Sequence, residues 1–592
     1  MTSVGRSVGW VSSPNAFRGG SGAKSNLLSA IVLLAALIVP DVAFAQVQLP
    51  SSVAPGRERQ QFQTPQAPRA VPGGPSVSLP STTAPAEAKT TKLVIRKIRV
   101  TGSTVYTQEQ LAPLYEELVG KRVALQEVYD LAQKITAKYG ADGYVLSRAI
   151  VPEQELDPKG ASITIEVVEG YVDKVVWPDV VKKYRDFFAD YEARITADRP
   201  VNIKTLERYL LLANDLPGLR FTTKLEASKK NKGASTLIVE VTEKPVDVNA
   251  RIDNRGTLSR GPLQFIVSPT FNNFLRQHGA LTLSYAATSP FSELQFVAPS
   301  YRQVLTSEGL TFFANISYSW GYPGVVVPDN FKLRTYSDYI ESGLSYPIIR
   351  AREKNLTVSG LAFVSDSYSR VDGDPNQTDR LRGLRAKLDG DMADSKGGIN
   401  QFNITLSKGF LGLGSTSNLS DPNAPLIPGG PSNPWGKVDF GKAEGFYART
   451  QPLFDRFSAQ IAAYGQYAFT PLPVPEQCGY GGRQFGRAYD PSDLIGDHCW
   501  MASAELRYDL PAVTSLANTQ VNTQFYGFTD RGTRYIIAGS TSDVGTSQSA
   551  ASAGGGVRLN WQNYLSVDLS AAKAIEGPRN VTRFFFIATA RY

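Results

Sequence analysis

The sequence predicts an α+β pair of small tandem modules followed by a transmembrane antiparallel β-barrel of about 16 strands. Three observations support this fold class. A strand pattern repeats after 74 residues, because Ile163 to Glu169 reads ITIEVVE and Leu237 to Glu243 reads LIVEVTE. From about Val246 onward, segments of roughly ten residues alternate in polarity, as membrane strands require. The composition, with 51 Gly, 10% aromatic residues and only two His, is typical of an antiparallel β protein rather than a helical enzyme.

A secretory signal is predicted over residues 1–45. Basic residues precede the apolar run Leu27 to Val39, and the small residues Ala43 and Ala45 favour cleavage before Gln46. This run is shorter than a membrane-spanning helix, which needs about 20 residues. No other apolar stretch of the sequence reaches that length, so a mature chain that resides in a membrane is expected to cross it as a barrel.

Residues 46–90 are predicted to form a mobile linker. They are rich in Pro, Ser, Gln, Ala and Thr and poor in large apolar residues, so they bury too little surface to fold alone. Within them, Pro55 to Gln63 reads PGRERQQFQ, which is compatible with a short polar helix. The linker is the main prediction, and a plug role for this short helix is the alternative interpretation.

The first module is predicted over residues 91–170. Apolar residues alternate in its strands and recur at helical spacing in its helices. The predicted order is strand, helix, helix, strand, strand: Lys92 to Val100, about Thr107 to Leu118, Leu125 to Tyr139, Tyr144 to Val151, and Ser162 to Val168.

The second module is predicted over residues 171–245. Its helix carries Leu206, Leu210 and Ala213 on one face and ends at Asn214 to Gly218, NDLPG, where Pro and Gly stop it. Three strands complete this module: Val172 to Trp177, about Arg220 to Ala227, and Thr236 to Val241.

The barrel is predicted over residues 246–592. In GLTFFANISYSW, Gly309 to Trp320, Ile316 and Tyr318 fall on one face while Ser317 and Ser319 fall on the other. A strand between lipid and a watery lumen needs this alternation. A soluble β-sandwich with its apolar face turned inward is the alternative.

The last strand favours the membrane interpretation. In VTRFFFIATARY, the alternate residues Phe584, Phe586 and Tyr592 form an apolar face that ends in an aromatic residue, as expected of a strand that closes an outer-membrane barrel. At roughly 20 to 25 residues per strand and loop, the segment allows about 14 to 18 strands, and an even number is expected.

Four motifs follow one another along the chain. Tyr139 to Leu156 reads YGADGYVLSRAIVPEQEL, Val167 to Val172 reads VVEGYV, Leu206 to Leu219 reads LERYLLLANDLPGL, and Asp253 to Gly256 reads DNRG. Their order and spacing resemble those of a two-partner secretion transporter of the hemolysin-activator type, in which two POTRA domains precede the barrel. The resemblance covers nearly the whole mature chain, and it implies an outer-membrane protein with its modules in the periplasm.

In the family that this chain resembles, a long extracellular loop folds back into the lumen and carries an arginine motif at its tip. Gly486-Arg487-Ala488-Tyr489 is similar to that motif, although alanine stands where the family usually has glycine. Alanine is strained at this position if the backbone there needs a positive φ. The resemblance implies that Arg487 pairs with an acidic residue of the inner wall. By motif, the predicted counterpart is Asp530 in YGFTDRG, Tyr526 to Gly532, where Tyr526 and Phe528 share a face with Asp530.

The arginine–aspartate pair has a physical reason of its own. An arginine fork that faces a carboxylate in a narrow lumen forms a directional, charge-assisted contact, so it is expected to anchor the loop. An ordinary surface loop with a solvated arginine is the alternative.

The two cysteines flank the loop motif. Cys478 and Cys499 are the only cysteines of an exported chain, so a disulfide between them is expected in an oxidising compartment. It would close a loop of about 20 residues, for which the chain-entropy model gives roughly 3 kcal/mol. Two free thiols are the alternative.

The sequence gives little support to an enzyme. His278 and His498 are the only histidines, and the chain lacks a paired Cys/His metal spacing, a Gly-x-Ser-x-Gly elbow and a phosphate loop. His498 beside Cys499 could form a thiol site, but a histidine next to a disulfide is the simpler interpretation. We therefore expect no catalytic residue, metal or cofactor. The net charge of +8 is mild for 592 residues, and no nucleic-acid partner is expected.

These expectations converge on an outer-membrane translocator that captures an unfolded exported protein and passes it through its barrel. Strand addition at a module's sheet edge would tolerate many partner sequences, and a groove between the second helix and the following strand is the predicted contact. The resemblance suggests an adhesin, hemolysin or contact toxin as the secreted partner. Outer-membrane lipid is the second expected partner. An outer-membrane assembly or insertase factor is the alternative, and a passive channel or a soluble adhesin fits less well. The predicted substrate-binding residues are Val128, Leu131, Ile135, Tyr139, Tyr144 and Leu146.

Overall fold

The computed structural model describes residues 49–62, 67–72, 84–157, 159–228, 231, 233–324, 331–420, 427–511, 513–514, 520–539, 545–562 and 564–592. The predicted secretory signal, residues 1–45, lies outside these ranges, as do parts of the predicted linker. Residues 46–592 form one compact unit. Its first described helix, α1 (Glu58–Phe62), follows a short 3-10 turn at Ser51–Val53.

The first module is a sheet covered by one long helix. The sheet has the order β2-β1-β4-β3, with β1 parallel to β4 and the other neighbours antiparallel. The main helix packs its apolar face on the sheet, which closes a single core. The elements are β1 (Lys92–Thr101), α2 (Gln108–Leu111), β2 (Arg122–Ala124), α3 (Leu125–Ala141), β3 (Arg148–Ile150) and β4 (Ala161–Val168).

Two expectations for this module are wrong in extent. The helix predicted from Thr107 to Leu118 stops as an α-helix at Leu111 and continues in 3-10 turns, because Pro113 supplies no backbone N–H. The strand predicted from Tyr144 shrinks to β3. The residues before it form a turn in which the Ser147 amide donates to the Tyr144 carbonyl at 3.0 Å.

The second module has a three-stranded sheet of order β5-β7-β6, in which β5 is parallel to β7 and β6 is antiparallel to it. Two helices cover one face, and the first of them has no counterpart in the sequence expectation. The Asn202 side chain caps the second helix by accepting from the Lys204 amide. The elements are β5 (Tyr171–Val176), α4 (Phe188–Ala197), α5 (Ile203–Asn214), β6 (Leu219–Ala227) and β7 (Ala234–Glu243).

A closed antiparallel barrel follows. Among the described residues its sheet contains 17 strands. The two-residue β22 only extends a hairpin, so sixteen strands form the barrel wall. The predicted fold class is therefore confirmed. Strands β19 and β20 form a separate ribbon inside one loop. The strands are β8 (Val246–Asp253), β9 (Leu263–Asn272), β10 (Gly279–Ser289), β11 (Gln295–Val304), β12 (Thr311–Gly321), β13 (Leu333–Arg350), β14 (Lys354–Val371), β15 (Asp374–Ala393), β16 (Ile399–Gly409), β17 (Gly441–Pro452), β18 (Phe457–Ala468), β19 (Cys478–Tyr480), β20 (Leu494–Gly496), β21 (His498–Asp509), β22 (Val513–Thr514), β23 (Gln520–Ile536), β24 (Thr546–Trp561), β25 (Leu565–Glu576) and β26 (Thr582–Arg591).

The two faces of the strands differ as a membrane barrel requires. On the outer face, Ile316, Leu406 and Ile461 are 46%, 55% and 52% exposed, whereas Ser317 and Ser319 are buried on the inner face. Among the described residues, no helix is both long and apolar enough to cross a bilayer.

The barrel closes where its last strand pairs with its first. Strand β26 pairs antiparallel with β8 from Ile587–Asp253 to Arg591–Asn249. Phe584 and Tyr592, two of the predicted closing residues, are 75% and 78% exposed on the outer surface, and Phe586 is half-buried.

The second module docks on the end of the barrel at which the turn between β11 and β12 lies. Tyr209 donates to Glu308 Oε1 at 2.9 Å in the turn between β11 and β12. Asp215, the residue that ends α5, accepts two hydrogen bonds from Arg350 at 2.7 and 2.9 Å. His278 is buried in the same interface, where its Nε2 lies 2.6 Å from the Arg185 carbonyl.

Candidate functional site

The segment between β18 and β21 folds back into the lumen and forms the centre of the site. Its ribbon pairs β19 with β20, from Cys478–Gly496 to Tyr480–Leu494. The predicted disulfide between Cys478 and Cys499 is present, with the two Cα atoms 6.4 Å apart. Because Cys499 belongs to the wall strand β21, this bond fastens the loop to the wall.

The structure brings Arg487 and Asp530 together. Arg487 Nη2 lies 2.8 Å from Asp530 Oδ1 and Nε lies 3.1 Å from Oδ2, while the Arg487 backbone amide donates to Oδ2 at 3.0 Å. The guanidinium lies over the Phe528 ring, 3.5 Å from its centroid. The two charged side chains are buried, so this is a bidentate contact shielded from solvent.

Several partners of this pair were not identified from the sequence. Arg487 Nη1 donates to Glu505 Oε2 at 2.5 Å, and Arg558 Nη1 donates to the other oxygen of that carboxylate at 2.8 Å. Arg255 donates to the Arg487 carbonyl at 2.8 Å. Glu505 falls on the inner face of β21 by alternation with Ser503. That signal marks a lumen position but does not reveal which loop residue it contacts.

Two glycines allow the loop tip to sit close to the wall. Gly486 has a φ of +71°, and a Cβ there would lie 2.5 Å from the Tyr480 ring. A Cβ at Gly532 would meet the same ring at 2.5 Å. Tyr480, itself buried, therefore fills the space between the loop and wall motifs.

The condition for strain at Ala488, a positive φ, is not met. Ala488 is not among the described residues with a positive φ, and its side chain is fully buried in the loop core. Tyr489 completes the turn, because its amide donates to the Gly486 carbonyl at 2.8 Å and its hydroxyl donates to the Glu576 carbonyl. Tyr526, the remaining wall residue, is buried against Phe528, with the ring centroids 6.2 Å apart.

The segment that contains α1 lies against the loop. Arg57 donates to the Val474 and Gln477 carbonyls at 2.9 Å each and to Ser492 Oγ at 3.0 Å. Glu58 pairs with Arg260 at 2.6 Å, and both side chains are buried. Polar contacts thus hold this segment on two sides of the lumen.

The rest of the segment leads toward the periplasmic end. Arg59 stacks on the Tyr339 ring of β13, 3.6 Å from its centroid, and Phe62 packs on Phe296 of β11, with the ring centroids 5.0 Å apart. Farther along, the Val71 amide donates to the Arg352 carbonyl at 2.9 Å. Side chains of α1 and its flanks therefore contact the loop and several wall strands.

The structure does not place the predicted substrate-binding residues in an open groove. Val128, Leu131 and Ile135 are buried in the core of the first module, because the apolar face of α3 is the face that packs on the sheet. A helical spacing of apolar residues predicts a buried face but does not say whether a sheet or a partner covers it.

The other three predicted residues also have internal partners. Tyr139 is buried and its hydroxyl donates to Glu169 Oε1 at 2.8 Å, while Tyr144 packs edge-on against its ring. Leu146 packs on the core of the second module.

The edge of β3 is short and partly covered. The Ala149 amide, which points away from β4, donates to Thr136 Oγ1 at 2.9 Å. The Thr136 side chain therefore occupies the position at which a carbonyl of an added strand would accept a hydrogen bond from Ala149.

A longer open edge lies in the second module. Strand β6 pairs on one side with β7 over nine residues, and no strand covers its other side in the described part of the chain. The Asn214 side chain binds the outward amide of Phe221 at 2.8 Å. By alternation, the backbone groups of Thr223 and Leu225 face the same open side. Leu225 is 37% exposed there.

The histidines take part in packing contacts. His498 stacks on Tyr467, with ring centroids 4.7 Å apart, and its Nδ1 accepts from the Ala468 amide at 3.1 Å. Among the described residues, no group of three or more His, Cys, Asp or Glu side chains could hold a metal ion.

Comparison with known proteins gives a consistent result. The family described as POTRA domain, ShlB-type matches residues 93–170, and the haemolysin secretion/activation protein ShlB/FhaC/HecB family matches residues 233–559. The heme/hemopexin transporter protein HuxB of Haemophilus influenzae is 22% identical over 485 residues, covering 79% of this chain and 81% of its own. The outer membrane transporter CdiB of Dickeya dadantii is 22% identical over 406 residues, covering 67% and 68%.

A solved structure shares the fold. CdiB from Escherichia coli superposes with a TM-score of 0.65 at 19% identity, covering 91% of this chain and 96% of that chain. The second family match spans more than half of the sequence. The chain therefore belongs to the haemolysin secretion/activation protein ShlB/FhaC/HecB family of two-partner secretion transporters, with its barrel in the outer membrane and its POTRA region in the periplasm.

Proposed function

We propose that this transporter captures one unfolded exported protein by strand addition to β6 and passes it through the barrel lumen. The observation that carries the proposal is the open edge of β6, in the module that docks on the barrel. An extended chain that pairs there gains backbone hydrogen bonds, which tolerate many side chains. The exposed face of Leu225 would add an apolar contact to the partner's side chains.

The sheet edge of the first module is less suited to strand addition than the β6 edge. Its β3 edge has three residues, and Thr136 already occupies the outward amide of Ala149. An added strand there would have to displace an internal hydrogen bond, and breaking a buried bond costs about 1 to 3 kcal/mol. The β6 edge imposes no such cost at Thr223 or Leu225.

Passage through the lumen requires the α1 segment to leave. It contacts the loop and the wall strands β11 and β13, so it acts as a plug in the state described. The loop, in contrast, is expected to stay, because the Cys478–Cys499 bond and the Arg487–Asp530 pair both fasten it to the wall. Transport then needs release of the plug while the loop continues to line the path.

A single proline substitution in β6 tests the capture site. Thr223→Pro removes an outward N–H without breaking a bond to β7, and proline is tolerated on an edge strand. We expect roughly a tenfold loss of secreted partner, from one lost hydrogen bond and the added steric block. Thr223→Ala is the matched control, because it keeps the N–H and should secrete normally.

The readout is the amount of the partner in the medium and at the cell surface, with barrel folding checked by heat-modifiable migration on gels. A photo-crosslinker at Leu225 should capture the same partner during export. Normal secretion by a folded Thr223→Pro variant would show that β6 is not the capture edge. General depletion of other outer-membrane barrels would instead favour an assembly factor.

A further inference from the structure

We infer that the lumen holds an oxyanion site, formed by Arg251 and Arg483, that binds a carboxylate-rich stretch of the exported chain. The inference rests on the proposed function and specifies the chemistry of its partner. The site belongs to a cavity of about 650 Å³ beside the plug, within the size range of ligand-binding pockets.

Arg251 supplies the wall side of this site. It lies on β8, is 8% exposed, and its Nη2 makes no hydrogen bond among the described residues. Its Nε lies 2.9 Å from Asp253 Oδ2, so the guanidinium is ion-paired on that side, while Nη2 has no acceptor in the described part of the chain. A buried guanidinium N–H without an acceptor is unfavourable, and an oxyanion would satisfy it.

Arg483 supplies the loop side. It lies near the tip of the loop, four residues before Arg487, and its Nη1 is buried without a partner in the described part of the chain. Arg251 and Arg483 line the same cavity, and both carry positive charge. An anion bound by both would gain two charge-assisted contacts, which are the strongest kind of hydrogen bond available to arginine.

The charge balance of the cavity points the same way. Its lining contains two carboxylates and five arginines, and two of those arginines are already paired: Arg59 with Glu341 at 3.6 Å and Arg558 with Asp568 at 3.1 Å. Both lining carboxylates are thereby used. Asp253, which lies outside the lining, balances the charge of Arg251, so the lining keeps an excess of positive charge that includes Arg483. The full set of charged lining residues is Arg59, Arg251, Arg483, Arg558, Arg591, Glu341 and Asp568.

The position of the pair explains why the ligand would be part of a moving polypeptide. Arg251 lies on the strand that closes the barrel against β26, and Arg483 lies on the loop that remains in the lumen. A chain that passes between the loop tip and this wall would contact both side chains. Glutamate and aspartate are the oxyanions that such a chain carries.

Peptide binding to the full-length transporter in detergent at low salt tests this site. The probe is a short fluorescent peptide of alternating glutamate and serine, and the reference is the same peptide with glutamine in place of glutamate. We expect the glutamate peptide to bind about tenfold more tightly, as measured by fluorescence anisotropy. Arg483→Gln should reduce its affinity to that of the reference peptide, and Arg483→Lys should restore part of it.

Arg456→Gln is the matched control. Arg456 is exposed in the turn between β17 and β18, outside the cavity, so the same change of charge there should leave binding unaltered. Arg251→Gln tests the wall side, and heat-modifiable migration verifies that each variant is folded.

Three results would overturn the inference. The first is equal binding of both peptides, and the second is unchanged binding of the glutamate peptide by a folded Arg483→Gln variant. The third is saturable binding of inorganic phosphate without any binding of the glutamate peptide. The last would indicate a small-anion site instead of a polypeptide site. If the peptide-binding test fails but deletion of the gene still abolishes secretion of one partner protein, only this inference is wrong. Glutamate binding without any secreted partner would remove the proposed function and leave the oxyanion site.

Discussion

Arg487 makes contacts that no other residue of the loop makes. Its guanidinium contacts Asp530, Glu505 and Phe528, and its carbonyl accepts from Arg255. The side-chain partners come from the neighbouring strands β21 and β23, and Arg255 comes from the segment after β8, so this one residue connects the loop tip to three parts of the barrel. We therefore expect the Arg487–Asp530 pair to decide whether the loop keeps its position.

Exchanging the charges of this pair tests its role. Arg487→Asp and Asp530→Arg should each impair secretion, because removing one partner of a buried pair costs about 3 to 5 kcal/mol. The double exchange should restore part of the secretion, although Glu505 also faces the new aspartate. The measurement is the amount of exported partner, with Arg531→Asp on the exposed side of β23 as a control. A double variant that restores nothing would disprove the contact's importance.

Glu169 holds the turn at Thr104 and Val105 in the first module. Burial opposes its ionisation, but hydrogen bonds from the Thr104 side chain and the Thr104 and Val105 amides outweigh that effect and lower the pKa of Glu169. Its contribution to stability is therefore fully present above the unfolded pKa, about 4.3, and is lost as pH falls through the lower folded pKa.

Hydrogen exchange of the Thr104–Val105 turn in the full-length protein should show this dependence. Acidification below about pH 4 should accelerate exchange relative to the intrinsic rate in the wild type. Glu169→Gln should exchange faster at neutral pH and show a flatter pH profile. Identical profiles for the two proteins would mean that the carboxylate does not hold the turn.

Among the elements, the segment after α1 and the second module meet at the periplasmic mouth. Arg69 lies 3.7 Å from Asp215 Oδ2, the carboxylate that Arg350 holds in a bidentate contact. The Ala70 amide donates to Asp391, which also accepts from Asn355. Movement of the second module away from the barrel would therefore remove the Arg69–Asp215 contact, whereas the contact of Ala70 with the barrel would remain.

Channel conductance in planar bilayers measures this coupling. Arg69→Gln should raise the open fraction only up to about fivefold, because its pair is largely exposed. Asp215→Asn should raise it more, roughly tenfold, because it also weakens the charge-assisted bond to Arg350. Arg194→Gln is the control, since Arg194 pairs weakly with Glu308 in the same interface. Equal open fractions for Asp215→Asn and Arg194→Gln would exclude the coupling.

Element types were more predictable from the sequence than element partners. The apolar stripe of α3 predicts a helix with one buried face, but the sequence does not show that β1 and β4 cover it. The same stripe is therefore compatible with a groove lined by Val128, Leu131 and Ile135, although the structure covers these residues with the sheet. Pro113 could have indicated the early end of α2, whereas the open edge of β6 depends on sheet order, which local pattern does not encode.

At the scale of the whole molecule, the alternation of polar and apolar residues predicts a closed barrel because lipid and water act on opposite faces of every strand. Long-range contacts inside the lumen have no such signal. Arg57 reaches loop carbonyls more than 400 residues away, and Glu58 pairs with Arg260 about 200 residues away. Sequence pattern predicts a polar helix there but does not determine which groups receive its side chains.

Quantitative mass spectrometry of surface and medium proteins, in cells with and without this gene, tests the central claim most directly. A dedicated transporter predicts the loss of one large exported protein and its return when the gene is restored, while other outer-membrane barrels keep their abundance. Unchanged exported proteins, or broad loss of outer-membrane barrels, would contradict capture and export of a single partner.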